Sequence, residues 1–173
     1  DTRAVLDAAA EAGDQRIQEA IDQRPGRTSG WTVNLDLGSY GDDILRRAVV
    51  ARTGWGANEP AEAVYPITRV DAVGEELSGE HHYTITFPEG DLPPVDAFWS
   101  ITAYADDMFL SPERDRWSLN PLQDDLVTNE DGSTTITIAA EDPGADAPNW
   151  LPVPDGTFVL MLRLYLPGPA VLD

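Results

Sequence analysis

Between Phe158 and Leu166 the chain alternates with period two, and both of its faces are apolar. Phe158, Leu160, Leu162, Leu164 and Leu166 fall on one face. Val159, Met161, Arg163 and Tyr165 fall on the other. Successive strand residues point to opposite sides, so a strand apolar on both needs cover on both. This segment is therefore predicted to be the central strand of a sheet. Three further period-two stretches accompany it. They are Tyr83–Phe87, Phe98–Tyr104 and Thr134–Ala139, the last preceded by Asn129-Glu130-Asp131-Gly132, a hairpin turn signal. Prolines at 88, 93, 94, 112, 121, 143, 148, 152, 154, 167 and 169 separate the strands. That punctuation fits a mainly β, antiparallel sandwich rather than βαβ units.

Ahead of Ala63 the period changes. Residues 2–24 read as a helix with Thr2 as a possible N-cap, ended by Pro25-Gly26. Its apolar stripe runs through Val5, Leu6, Ala9, Ala10, Gly13, Ile17, Ala20 and Ile21. Residues 42–53 read as a second helix capped by Asp42 or Asp43. Short helices are marginal alone, so the stripe is expected to pack on the sandwich or on a second copy of the chain. The expected organisation is a helical arm over 1–62 and a sandwich over 63–173, forming one unit.

Charge bounds the partners. The chain has 31 acidic residues against 11 basic ones, all arginine, and a net charge of −20. Phosphate backbones and anionic membrane surfaces are disfavoured, so no nucleic-acid partner is expected. The absence of lysine fits either a GC-rich genome or adaptation to salt. No apolar run is long enough to span a bilayer, so this segment is not expected to insert into a membrane. Its compartment stays open between cytoplasm and export, because a signal or anchor could precede Asp1. Cysteine is absent, which excludes thiolate chemistry.

Several short motifs then occur in order. Tyr40–Ala48, Gly56-Ala57-Asn58 and Ala63-Val64-Tyr65-Pro66 come first. Leu77-Ser78-Gly79, Tyr83, Phe87-Pro88, Leu92–Val95 and Phe98-Trp99-Ser100 follow. Asp131-Gly132-Ser133, Asn149-Trp150-Leu151-Pro152 and Leu162–Tyr165 with Pro167 close the series. Together they resemble the bacterial and archaeal family called domain of unknown function 1214, over residues 31–172. The resemblance implies a jelly-roll-like sandwich. It also implies that many relatives carry a companion β domain, of unknown function 1254, ahead of this one. It brings no settled activity.

The residues themselves restrict the chemistry. His81 and His82 are the two histidines, and as neighbours on a strand they would point apart. No Gly-x-Ser-x-Gly elbow supports a triad, and the ligands for a zinc site are missing. No metal and no cofactor is expected. Asn129–Gly132 lacks the twelve-residue pattern of a calcium loop. Acidic clusters such as Asp106-Asp107, Asp124-Asp125 and Glu141-Asp142 single out no catalytic pair.

The candidate binding residues are Trp99, Tyr104, Arg116, Trp117, Trp150, Arg163 and Tyr165. Aromatic side chains on a jelly roll can stack on sugar rings or other flat ligands. The same Trp99 and Trp150 could equally be core, with Arg163 in an internal ion pair. Arg163 on an apolar face is expected to be buried, paired to a carboxylate or to backbone carbonyls, and flanked by Trp150 or Tyr165. These features point first to a non-catalytic module binding a carbohydrate or another small molecule, or acting as an interaction module. A glycan-directed hydrolase with paired carboxylates and a structural or assembly role, with self-association through the first helix, are the alternatives.

Overall fold

The computed structural model describes residues 1–23, 27–28, 30–105, 108, 110 and 116–172, with backbone alone at 27–28. The Pro25-Gly26 stop and the Asp106-Asp107 cluster lie outside the described residues.

Helix α1 (Thr2–Asp22) starts at Asp1, whose carboxylate accepts from the Arg3 amide at 3.1 Å. The cap is thus one residue earlier than Thr2. Helix α2 (Ile44–Thr53) is capped by Asp43, which accepts from the Arg46 amide at 2.9 Å, and it ends at Gly54. An Arg52–Asp14 ion pair at 2.6 Å ties the two helices together. Both partners are largely exposed, so the pair contributes about 0–1 kcal/mol.

The stripe on α1 is covered along only half its length. Gly13, Ile17, Ala20 and Ile21 are partly buried, whereas Val5, Leu6, Ala9 and Ala10 are exposed. No residue of α1 is fully buried. The helix meets α2 through its second half and runs past the body of the protein with its first. Of the two expected forms, packing on the sandwich does not cover this exposed half; packing on a second copy of the chain is left as the other.

Two sheets hold the rest. The larger contains β1 (Arg27–Thr28), β2 (Trp31–Thr32), β3 (Ala63–Val64), β4 (Ile67–Thr68), β6 (Val95–Ala105), β7 (Ser118–Leu119) and β10 (Phe158–Pro167). Its order is β1-β2-β4-β10-β6-β7, with β3 also on β10. All these pairings are antiparallel. The central position of the Phe158 strand follows from its sequence, as expected. The smaller sheet is β5 (Tyr83–Phe87), β8 (Thr134–Ala139) and β9 (Trp150–Pro152). Here β5 and β8 are antiparallel, but β8 and β9 run parallel. The Asn129–Gly132 turn forms, with Gly132 at φ 81° and its amide donating to the Asn129 carbonyl. Yet it leads into β8 from a loop, because the partner of β8 is the distant β5.

The inner faces of the sheets share one core. Trp99, Ile101, Ala103, Phe158, Leu160 and Leu164 from the large sheet meet Ile136, Ile138 and Leu151 from the small one. Phe158, Leu160, Leu162 and Leu164 follow the alternation. Leu166 does not: it adopts φ 51° beside a register shift, and its side chain turns outward. The other face of β10 carries Met161, Arg163 and Tyr165, all half-buried. No helix of the described residues is long and apolar enough to cross a membrane.

Candidate functional site

The outer face of the large sheet and the two helices enclose an open cleft of about 960 Å³. Its floor comes from β4 and β10, through Ile67, Met161, Arg163 and Tyr165. Its far wall comes from Ile21 of α1 and from Leu45 and Val49 of α2. Trp55, just beyond α2, stands at the mouth with 90% of its surface exposed.

Antiparallel register places Arg163 beside Ser100, and Met161 beside Thr102. Alternation then brings Thr102 and Tyr104 of β6 onto the face that carries Arg163. The Arg163 guanidinium donates from Nη1 to Thr102 Oγ1 at 2.7 Å and from Nη2 to Tyr104 Oη at 2.5 Å. It also lies 5.6 Å from the centre of the Tyr104 ring. Thr102 in turn donates to Ser118 Oγ at 3.2 Å. The acceptors of Arg163 are thus hydroxyl groups, and among the described residues no carboxylate pairs with it. This corrects the expectation of a buried Arg163 paired to a carboxylate or to backbone carbonyls, since the group is half-buried and its acceptors among the described residues are hydroxyls. Neighbouring β-strands offer short polar side chains here, and the acidic residues sit in turns and on the surface.

Tyr65, between β3 and β4, lines the same cleft. Its hydroxyl donates to Asn58 Oδ1 at 2.7 Å, and its ring meets Tyr165 edge-on at 6.4 Å. Burial pushes the Tyr65 phenol above the usual tyrosine range. Tyr165 pushes it the same way, by charge and by hydrogen bonding, while the Arg163 cation pulls it back. Tyr65 is therefore a neutral hydroxyl at neutral pH. The Tyr165 ring stacks on Phe98 at 4.5 Å, which uses one of its faces.

Arg163, Tyr165 and Tyr104 are thus brought together. The other four candidates are placed elsewhere. Trp99 is 4% exposed and belongs to the core. Trp150 is half-buried at the start of β9, and its indole N–H donates to the Ala139 carbonyl at 2.9 Å. Arg116 donates to the Trp150 carbonyl at 3.1 Å and pairs with Asp124, which also accepts from the Asn120 amide. That geometry clamps the loop after β7 onto β9. Trp117 precedes β7, and its carbonyl accepts from the Ala103 amide at 2.9 Å. Tyr65 and Thr102 were not singled out by the sequence. The signal for Thr102 was its two-residue spacing from Tyr104 on β6, opposite the strand bearing Arg163.

The carboxylates of the cleft are Asp36 and Asp43. Arg46 bridges them at 3.7 and 3.5 Å, and Asp43 also caps α2. Neither sits unpaired in an apolar setting, the arrangement that would raise a carboxyl for general acid work. His81 and His82 are exposed ahead of β5, with His81 edge-on to Tyr83 at 6.3 Å. Among the described residues no cluster of three or more His, Asp or Glu could hold a metal ion.

Two facing sheets sharing one core, with two helices against the outer face of the larger, define a mainly β module. The chain belongs to the family of proteins of unknown function DUF1214, whose model matches residues 62–169. Among solved structures it is similar to the VPA0106 protein of Vibrio parahaemolyticus, with 28% identity and a TM-score of 0.68. That match covers 95% of this chain and 40% of the Vibrio protein. This chain therefore spans about two-fifths of its relative. An uncharacterised protein from Burkholderia cenocepacia matches at 14% identity and a TM-score of 0.43, over 88% of this chain and 35% of that one. No curated protein matches.

Proposed function

We propose that this module is a non-catalytic binding domain that holds a small molecule in the cleft between its helical arm and the outer sheet face. One observation carries the reading. An apolar-walled cleft of about 960 Å³ has two half-buried cations on its sheet side, Arg163 on β10 and Arg69 just after β4. Ligand pockets combine mostly apolar walls with a few placed polar groups, and this cleft lies at the upper end of their usual size. The hydrolase alternative is less favoured, because among the described residues no cleft carboxylate sits unpaired in an apolar environment. A sugar platform is less favoured, because Trp99 and Trp150 lie outside the cleft and one face of Tyr165 is occupied by Phe98.

The chain offers a direct test. It has two methionines, Met108 and Met161, and both line the cleft. With methyl-labelled methionine, a panel of apolar fragments bearing one polar group should shift both methyl signals saturably. Signals that stay still across the panel would overturn the binding reading. The exposed Val5–Leu6 end of α1 would then remain as an interaction surface.

We further read residues 1–62 and 63–173 as arm and jelly-roll-like sandwich of one unit, supported by the shared core and by the contact of β2 with β4. We read the charge as suited to saline surroundings. Among the described residues no Asp or Glu is buried, and the acids outnumber the arginines by 31 to 11. Their repulsion is stronger in the compact state than in the expanded chain. The thermal midpoint should therefore rise between about 0.05 M and about 2 M sodium chloride, as the Debye length falls to a few ångströms. Each kcal/mol recovered raises the midpoint about 2–4 °C for a chain of this size. A steady fall would show that specific ion pairs dominate.

A further inference from the structure

Arg163 and Arg69 line the cleft, and neither is in an ion pair with a described residue. Arg3, Arg46, Arg52 and Arg116 each pair with a carboxylate. Acidic residues outnumber arginines almost threefold, yet among the described residues none reaches Arg163. A guanidinium has five N–H donors. Two of those on Arg163 go to the hydroxyls of Thr102 and Tyr104. Those dipoles orient the group without neutralising it, and the other donors have no acceptor among the described residues. Among the described residues this partly desolvated cation has no counter-charge, and an anion arriving in the cleft would supply one.

The surroundings select the kind of anion. Three arginines, Arg46, Arg69 and Arg163, line the cleft against two aspartates, Asp36 and Asp43. Among its described lining residues the cleft thus carries one more cation than anion, on a molecule of net charge −20. Asp36 and Asp43 are held by Arg46 on the arm side, away from the sheet floor that bears Arg163. The field of the whole molecule acts on each charge of a ligand, so a dianion is opposed twice as strongly as a monoanion. A planar guanidinium fork matches a carboxylate in two parallel hydrogen bonds. Tyr65 and Tyr165 add hydroxyls close by, and Ile67, Met161 and Val49 offer an apolar bed.

We infer that the cleft selects an organic monocarboxylate with an apolar body, its carboxylate received by Arg163. This rests on the cleft being a binding site at all, and the test separates the two claims. Phenylbutyrate and its neutral isostere phenylbutyramide are titrated against the unaltered protein, followed by the Met108 and Met161 methyl signals and by calorimetry. The acid should bind about tenfold or more tightly than the amide, the range expected for charge-assisted hydrogen bonds. Arg163→Gln should bring the acid down to the level of the amide and leave the amide unchanged. Arg163→Lys, which keeps the charge but not the fork, should fall between.

Equal binding of acid and amide would overturn the carboxylate inference while leaving the cleft as a binding site. Tighter binding of phenylpropylphosphonate than of the acid would overturn it in favour of a phosphoryl ligand. Still methyl signals with every probe would overturn both claims. The comparison of acid with amide needs no variant, so it decides even if Arg163→Gln fails to fold.

Discussion

Asn149→Ala is expected to lower the stability of the fold by about 3 kcal/mol, because its amide joins three main-chain groups. The side chain is 3% exposed. Oδ1 accepts from the Val127 amide at 2.8 Å, while Nδ2 donates to the Val127 carbonyl at 2.8 Å and to the Thr135 carbonyl at 2.9 Å. Asn149 thus pairs with Val127 much as a strand residue would, and fastens that loop to β8 just before β9 begins. Its own carbonyl accepts from the Thr137 amide at 3.0 Å, which keeps β9 in parallel register. Alanine would leave one donor and two acceptors to find water. Each orphaned group costs about 1–3 kcal/mol when water cannot reach it, and Val127 is exposed enough to be partly rehydrated. Asn149→Asp tests the direction of the bonds. It keeps the acceptor for Val127 but faces two carbonyls with an acceptor and adds a buried charge, so at neutral pH it should lose more than alanine. Urea denaturation gives the order. A loss below about 1 kcal/mol for alanine would mean that water substitutes for the amide.

The sequence carries much of this scaffold. Alternation located β5, β6, β8 and β10 closely, and apolar residues on both faces of Phe158–Leu166 placed that strand at the sheet centre. Strands β1 to β4 and β7 have two residues each, too short for any period to register. The parallel pairing of β8 with β9 was hidden because its register depends on Asn149, a residue that looks like a loop asparagine. Leu166 broke the alternation because its positive φ turns the side chain away. Gly79 stood out as part of a motif without a reason. The structure supplies it, since a Cβ there would lie 2.0 Å from the Pro154 carbonyl oxygen.

The site was legible at one residue. A lone arginine on an apolar strand face marked Arg163, and its neighbours Tyr104 and Tyr165 share that face. The remaining candidates were chosen as aromatic or cationic groups, and residue type alone does not separate a surface platform from a core or a clamp. Trp150 and Arg116 are joined across 34 residues, a contact set by the loop path after β7. The far wall of the cleft comes from helices whose placement on the outer face leaves no mark in local periodicity.

Trp99→Ala separates those meanings, because a core residue and a binding residue fail in opposite ways. Trp99 sits on the inner face of β6 opposite Leu164 of β10. Its ring meets Phe87 of the smaller sheet at 5.4 Å with the planes tilted by 52°. It therefore fills the gap between the sheets, and truncation removes both the transfer free energy of an indole and the contacts lining the space it leaves. Large aromatic to alanine changes in cores cost about 3–5 kcal/mol. A domain is stable by about 5–15 kcal/mol, so the variant should be folded marginally or not at all at about 37 °C. Trp99→Phe keeps a ring against Phe87 and should lose less. At a temperature where the alanine variant still folds, its Met108 and Met161 signals should titrate with phenylbutyrate as in the unaltered protein, because the inner face is separated from the cleft by the sheet itself. Arg163→Gln should show the reverse pattern, with the carboxylate preference gone and the urea midpoint close to that of the parent. If Trp99→Ala kept the parent midpoint and abolished binding, Trp99 would belong to the ligand site and the core assignment would fall.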